Sequence, residues 1–161
     1  MMSPWFWPRR LASGAPRLLR GSDAAACAAL HATGFAHPWS AEEFAVFLSE
    51  PACSGDGIDA KFGLAGFILT RRALDEAEIL TIVVDPRARR QDCGRRLLGA
   101  HLSRLGALGV TTLFLEVDES NVAALALYRR HGFAQSGVRK GYYVKPDGTR
   151  ANALMMRRSL S

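Results

Sequence analysis

Glu116 is the residue of this chain whose setting most suits proton transfer. It lies in Thr111–Val117, where alternation sets Leu113, Leu115 and Val117 on one face and Thr112, Phe114 and Glu116 on the other. An acid at a strand's carboxyl end sits where open parallel sheets place their ligands, so Glu116 can act as a base on something held there. The same features fit a surface carboxylate paired with an arginine. Anion binding is the second chemistry. Arg89, Arg90, Arg95 and Arg96 crowd a loop with one glycine, Gly94, that feeds a helix start. Unpaired N–H groups and the positive end of the helix dipole suit such a loop to a phosphate, although a βα connection with a solvated basic face uses the same residues. Tyr128, on a run with Leu125 and Leu127, is either a semi-buried ring whose hydroxyl reaches a partner or a core tyrosine. Cys93 beside the arginines is either a thiol activated by positive charge or a small loop filler.

The elements that must carry these residues can be read from the pattern. Ile79–Val84 is short, apolar and rich in β-branched residues, and Asp85-Pro86 stops it. Leu98, Leu102 and Leu105 then recur at helical spacing as far as Gly109, and Thr111–Val117 follows. Strand, helix and strand make a βαβ unit with its two strands parallel. Upstream, a short strand is expected at about 16–20, followed by a helix capped by Ser22 or Asp23 and ended at Gly34. Ser40 and Glu43 form a capping box, with Trp39 and Phe44 as a staple, and Pro51 closes that helix. Ser54-Gly55-Asp56-Gly57 reads as a turn. Ile58 to about Arg71 reads as a hairpin broken near Lys61–Gly63, completing an antiparallel meander with 78–84. Ser120 or Asn121 caps a helix through Tyr128 that closes at Gly132, and a hairpin about Pro146-Asp147-Gly148 ends the chain. The expected class is α/β, one domain on a mixed sheet over 16–161, with 1–15 as a tail.

Composition narrows the class of function. At 48% hydrophobic and 22% charged residues the chain is neither disordered nor fibrous. The net charge of +6 is uneven, with six arginines between 87 and 104, and suits nucleic acid, a ribosome or a polyphosphate cofactor. Cys27, Cys53 and Cys93 form no close pair and no zinc-type set with histidine, so neither a disulfide framework nor a metal is expected, and a reducing cytoplasm is. The apolar start Met1–Pro8 is too short for a transmembrane helix or a signal core. His31, His37, His101 and His131 show no spacing for a metal site or a triad.

In order, Ala36-His37-Pro38-Trp39-Ser40, Leu74-Asp75-Glu76-Ala77, Ile82-Val83-Val84-Asp85-Pro86, Leu115-Glu116-Val117, Ser120-Asn121, Ala126-Leu127-Tyr128 and His131-Gly132-Phe133 resemble the GNAT superfamily of acetyl-CoA-dependent N-acetyltransferases. Within it, they resemble the branch acting on the N-terminal alanine of ribosomal proteins. The similarity runs from about Arg17 onward. It implies the GNAT acyl-CoA N-acyltransferase fold, a central mixed β-sheet flanked by helices, and direct transfer of acetyl from acetyl-CoA without a metal. It implies that the backbone of Ile82, Val83 and Val84 contacts the pantetheine arm. Arg90, Gln91, Asp92, Cys93, Gly94 and Arg95 would cradle the pyrophosphate, and Asn121 would touch the cofactor. Glu116 matches the general base and Tyr128 the general acid. The implied partner is a protein or peptide N-terminus of a small-subunit ribosomal protein, with no stable nucleic-acid binding and no membrane. One departure stands out: the family loop reads basic-x-x-Gly-x-Gly or Ala, and Asp92 occupies the place of its first glycine, which bears on cofactor affinity rather than fold. Another protein N-terminus or a small amine as acceptor, or a non-catalytic RNA- or ribosome-binding module, are alternative readings. The acceptor and the oligomeric state are not legible from the sequence.

Overall fold

The computed structural model describes residues 12–160. Its strands are β1 (Ala12–Leu18), β2 (Cys53–Ala60), β3 (Gly63–Ala73), β4 (Glu76–Val84), β5 (Thr112–Asp118), β6 (Ala134–Val144) and β7 (Arg150–Ser159). The helices are α1 (Ala24–His31), α2 (Ala41–Ser49), α3 (Cys93–Ala107) and α4 (Val122–Arg130). One sheet runs in the order β1-β2-β3-β4-β5-β7-β6, and its β4–β5 pair is parallel while the others are antiparallel. The α3 crossover supplies that parallel step, as the pattern of 79–117 leads one to expect.

Two cores lie on opposite faces of the sheet. Leu97, Leu98, Leu102 and Leu105 of α3 and Leu125 and Tyr128 of α4 pack on one face against Ile58, Ile68, Leu113 and Leu115. On the other, Cys27 and Leu30 of α1 and Phe44 of α2 pack on Phe67, Leu69 and Val83. The start of α2 is fixed locally: Ser40 Oγ accepts from the Glu43 N–H at 3.1 Å, and Glu43 returns a carboxylate to the Ser40 N–H at 2.7 Å. Trp39 lies 5.6 Å from Phe44, ring to ring.

Three expectations differ from the structure. β1 begins at Ala12 rather than near 16, and of the expected tail residues 1–11 lie outside the described ones. α1 stops at His31, with only a bonded turn carrying the chain to Gly34. The segment 54–57 is not a turn but the middle of β2, paired with Phe67–Thr70. Its glycines are there for proximity: a Cβ on Gly55 would meet the Ile68 carbonyl oxygen at 2.5 Å, and one on Gly57 would meet Leu19 Cδ2 at 2.8 Å. Asp56 between them is fully buried, where His101 Nδ1 donates to it at 2.6 Å and Arg104 at 2.8 Å. Burial pulls that carboxyl upward, but the His101 and Arg104 hydrogen bonds outweigh it and hold it below the usual range. This network pins α3 to the sheet.

Candidate active site

The parallel ladder is short, pairing Glu76, Ala77 and Glu78 with Thr112, Leu113 and Phe114. Leu80 is then extra in β4, since Leu69 faces Thr81 and Thr70 faces Ile79. A bulge bends its strand, and beyond Glu78 the two parallel strands part. Two clefts lie on this part of the molecule, one toward α3 and α4 and one over the paired stretch that leads to Glu116.

The first cleft, about 590 Å³, is lined by Val84, Arg89, Arg90, Asp92–Arg95, Ala126, Leu127, Arg130 and His131, among others. Its floor is the start of α3. The first helical bond there runs from the Arg96 N–H to the Asp92 carbonyl, so the N–H groups of Cys93, Gly94 and Arg95 precede the ladder and are open to an anion. Gly94 keeps the approach low, because a Cβ would press on Leu127 Cδ2 at 3.2 Å. Arg90 and Asp92 both adopt positive φ, 63° and 60°, and this turns the loop onto the helix. Aspartate tolerates that region, so the departure at Asp92 leaves the loop formed. Its carboxylate pairs with Arg95 at 3.3 Å, with both groups largely exposed.

Not every arginine here is free for a ligand. Arg87 closes on Asp85 at 2.9 Å and lies over the Phe62 ring, and its hydrogen bonds hold the Asp85 carboxyl below its ordinary range. Arg96 donates to the Gly14 carbonyl of β1. Arg89, Arg90 and Arg130 remain to line the cleft, together with Arg95, which Asp92 shares, a cationic set that fits a pyrophosphate. Burial pushes the Cys93 thiol up, which disfavours a thiolate nucleophile.

The second cleft, about 320 Å³, is lined by Arg71, Glu76, Glu78, Phe114, Glu116, Arg139 and Met155, among others. Glu116 is 22% exposed and pairs with Arg139 Nε at 3.0 Å, so the arginine pairing that its strand position allows is realised. Tyr128 is buried, edge-on to Phe133, and burial, reinforced by Tyr143, pushes its hydroxyl well above the ordinary range. Its proton is therefore retained at neutral pH. Tyr143 is also shifted up, first by burial and then by the Glu116 charge, so it lies close enough to feel both Glu116 and Tyr128.

Other expected residues have side chains engaged within the fold. Val83 faces the α1–α2 core, and neither Ile82 nor Val83 lines a cleft by its side chain, although β4 offers its backbone past Glu78. Gln91 accepts from the Ala12 N–H at 3.5 Å, directing its side chain to β1. Asn121 caps α4, accepting from the Ala124 N–H at 3.2 Å. Among the described residues no group of three or more His, Cys, Asp or Glu side chains is placed to hold a metal ion, and no helix is long and apolar enough to cross a membrane.

Residues 24–133 match the acetyltransferase (GNAT) family. The chain belongs to that family. As a GNAT protein it is similar to the [ribosomal protein bS18]-alanine N-acetyltransferase of Escherichia coli K12, at 40% identity over 131 residues covering 80% of this chain and 87% of that one. The Haemophilus ducreyi protein of the same name is 42% identical over 58% of this chain and 64% of its own. The crystal structure of the Escherichia coli ribosomal-protein-S18-alanine N-acetyltransferase superposes with a TM-score of 0.83, at 35% identity over 91% of this chain and 94% of that one. The GNAT fold of a mixed sheet flanked by helices is thus established.

Arg130, Arg139 and Tyr143 are not singled out by the sequence, and His131, part of a family motif, has no role assigned there. For Arg130 a signal existed: Ala123, Ala126, Leu127 and Arg130 recur at helical spacing and share the face that lines the first cleft. For Arg139 and Tyr143 there was none, because β6 is irregular between them. Arg139 faces Ala153 and Tyr143 faces Ala151, with Gly141 at φ 61° between.

Proposed function

We propose that this GNAT protein transfers the acetyl group of acetyl-CoA directly to the N-terminal α-amine of a protein in the cytoplasm. An alanine of a ribosomal protein is the favoured acceptor, with Glu116 as general base and Tyr128 as general acid. The observation that carries this reading is a partly covered carboxylate, Glu116, in a cleft on the strand that pairs in parallel with β4, in a molecule that also carries an arginine-lined helix start.

Acetyl-CoA supplies an activated thioester and a pyrophosphate handle. Arg89, Arg90, Arg95 and Arg130 and the α3 start take the handle, and the free edge of β4 receives the arm. An N–H of that strand is the donor available to the carbonyl oxygen as charge develops. A protonated amine cannot attack. An α-amine with pKa near ~7.8 is roughly one-seventh neutral at pH 7, whereas a lysine near ~10.4 is neutral only about once in 2,500 molecules. One carboxylate, acting directly or through a water, is then a sufficient base for an N-terminus. Tyr128 gives its proton to the departing thiolate and regains one from solvent.

Peptides that differ in their first residue, incubated with enzyme and acetyl-CoA and mapped by mass spectrometry, test this. The expected result is acetyl on the α-amine, most rapidly with alanine first. Acetyl only on lysine side chains or small amines would overturn it.

A further inference from the structure

The Glu116–Arg139 pair stands in the way of the base it restrains. Arg139 Nε lies 3.0 Å from Glu116 Oε1, the arginine side chain 52% exposed and the carboxylate 22%. A guanidinium so placed occupies one of the acceptor positions of the carboxylate. The surrounding cleft holds three carboxylates, Glu76, Glu78 and Glu116, against two guanidiniums, Arg71 and Arg139. Arg71 is engaged with Glu50 at 3.7 Å, and among the described residues no ion pair is made by Glu76 or Glu78. Three carboxylates against two guanidiniums leave the cleft one cation short, and if Arg139 leaves, Arg71 alone faces the three, so an incoming α-ammonium replaces the cation that is lost.

Arg139 has somewhere to go. Its guanidinium already lies 5.3 Å from the centre of the Tyr142 ring, itself 51% exposed. The backbone beneath it is the irregular stretch of β6, held by Asn152 accepting from the Gly141 N–H at 3.0 Å and by Arg150 donating to the Gly141 carbonyl. A side chain on this arch can swing without disturbing the ladder between Val138 and Leu154.

We propose that Arg139 is a positioning residue that occupies the acceptor's ammonium position on Glu116 and is displaced by the acceptor. It holds the carboxylate aimed in the free enzyme, yields to the ammonium, and closes again once the product amide, which carries no charge, has formed. Arg139 therefore sets acceptor affinity rather than the rate of the chemical step. This inference rests on Glu116 being the base.

The test compares wild type, Arg139→Gln and Arg139→Lys in acetyl transfer to a peptide with a free N-terminal alanine, at saturating acetyl-CoA. If a half-exposed pair occupies Glu116 for between one-half and five-sixths of the time, removing it lowers the acceptor KM by about two- to sixfold. The expected result is that fall for Arg139→Gln, in KM rather than kcat, with the acetyl-CoA KM unmoved and Arg139→Lys near wild type. An unchanged or raised acceptor KM in a folded Arg139→Gln enzyme, a loss confined to kcat, or a lysine variant that behaves like glutamine would overturn the inference alone. A wild-type enzyme that transfers nothing to the peptide would overturn it together with the proposed function.

Discussion

The arginine-lined cleft and the glutamate-lined cleft hold their charges in opposite ways. In the first, the frame is rigid and most of the charges are unspent: α3 is pinned by the buried Asp56–His101–Arg104 network, while Arg89 and Arg90 line the loop before it and Arg95, in its first turn, is shared with Asp92. In the second, the central carboxylate is engaged and the frame is exposed: Glu116 is tied to Arg139, which rides on an exposed, irregular hairpin strand. A cofactor identical in every turnover suits a preformed cationic cradle, whereas an acceptor that must be admitted, deprotonated and released suits a surface whose ion pairs can exchange.

The largest effect that would sharpen this contrast lies in the second cleft. Glu116→Gln and Tyr128→Phe should each lower kcat by about ten- to ten-thousandfold, the range for a positioned base or acid. Acetyl-CoA affinity, measured by calorimetry, should hardly change. The Glu116→Gln defect should shrink as pH rises past ~8, where the α-amine is already neutral. A Tyr128→Phe enzyme of undiminished rate would return Tyr128 to a packing role.

The next effect concerns the rigid frame. Asp56→Asn leaves His101 and Arg104 facing a neutral amide in a buried place and should cost about 3–5 kcal/mol of stability, read as a lower denaturation midpoint. The sign with pH follows from Asp56 being held below its ordinary range. Its contribution is complete above the unfolded value of ~3.9 and is lost as pH falls through the folded one. Wild type should therefore lose stability more steeply than Asp56→Asn below about pH 4. Equal acid sensitivity would mean that the network does not anchor α3.

The smallest effect tests whether the first cleft is as unspent as it looks. Asp92 sets a carboxylate, 68% exposed, at the anion site, and Arg95 at 3.3 Å offsets part of its charge. Asp92→Gly should bind acetyl-CoA about three- to thirtyfold more tightly, a gain of roughly 0.7–2 kcal/mol, and less so at high salt. Calorimetric titration at two ionic strengths checks it. A weaker glycine variant would mean that Asp92 organises the loop through Arg95.

What could be read in advance tracks how local each feature is. The capping box at Ser40 and Glu43, the stop at Asp85-Pro86 and the strand–helix–strand run of 79–117 are written in neighbouring residues, and all are present in the fold. The glycine-rich segment 54–57 misled because its meaning is distant: Asp56 answers to His101 and Arg104, 45 and 48 residues on. The site divides the same way. The arginine loop is one stretch of chain and was legible. The second cleft gathers Arg71, Glu78, Glu116, Arg139 and Met155 from five strands, and β6 departs from simple alternation where Arg139 must be placed.

The position of β7 also bears on when this enzyme can begin to work. Among the described strands β7 is made last, yet it lies between β5 and β6, and its Met155 faces Glu116 across the ladder. Until residues 150–159 have emerged during synthesis, β5 lacks its antiparallel neighbour and β6 has nothing to pair with. Pairing of such distant segments is slow, and unpaired edges invite misassociation. The α3 half of the molecule can collapse early around its own helix. The strand that carries Glu116 acquires its second neighbour only after that, so a nascent chain completes the arginine-lined cleft before the cleft over Glu116.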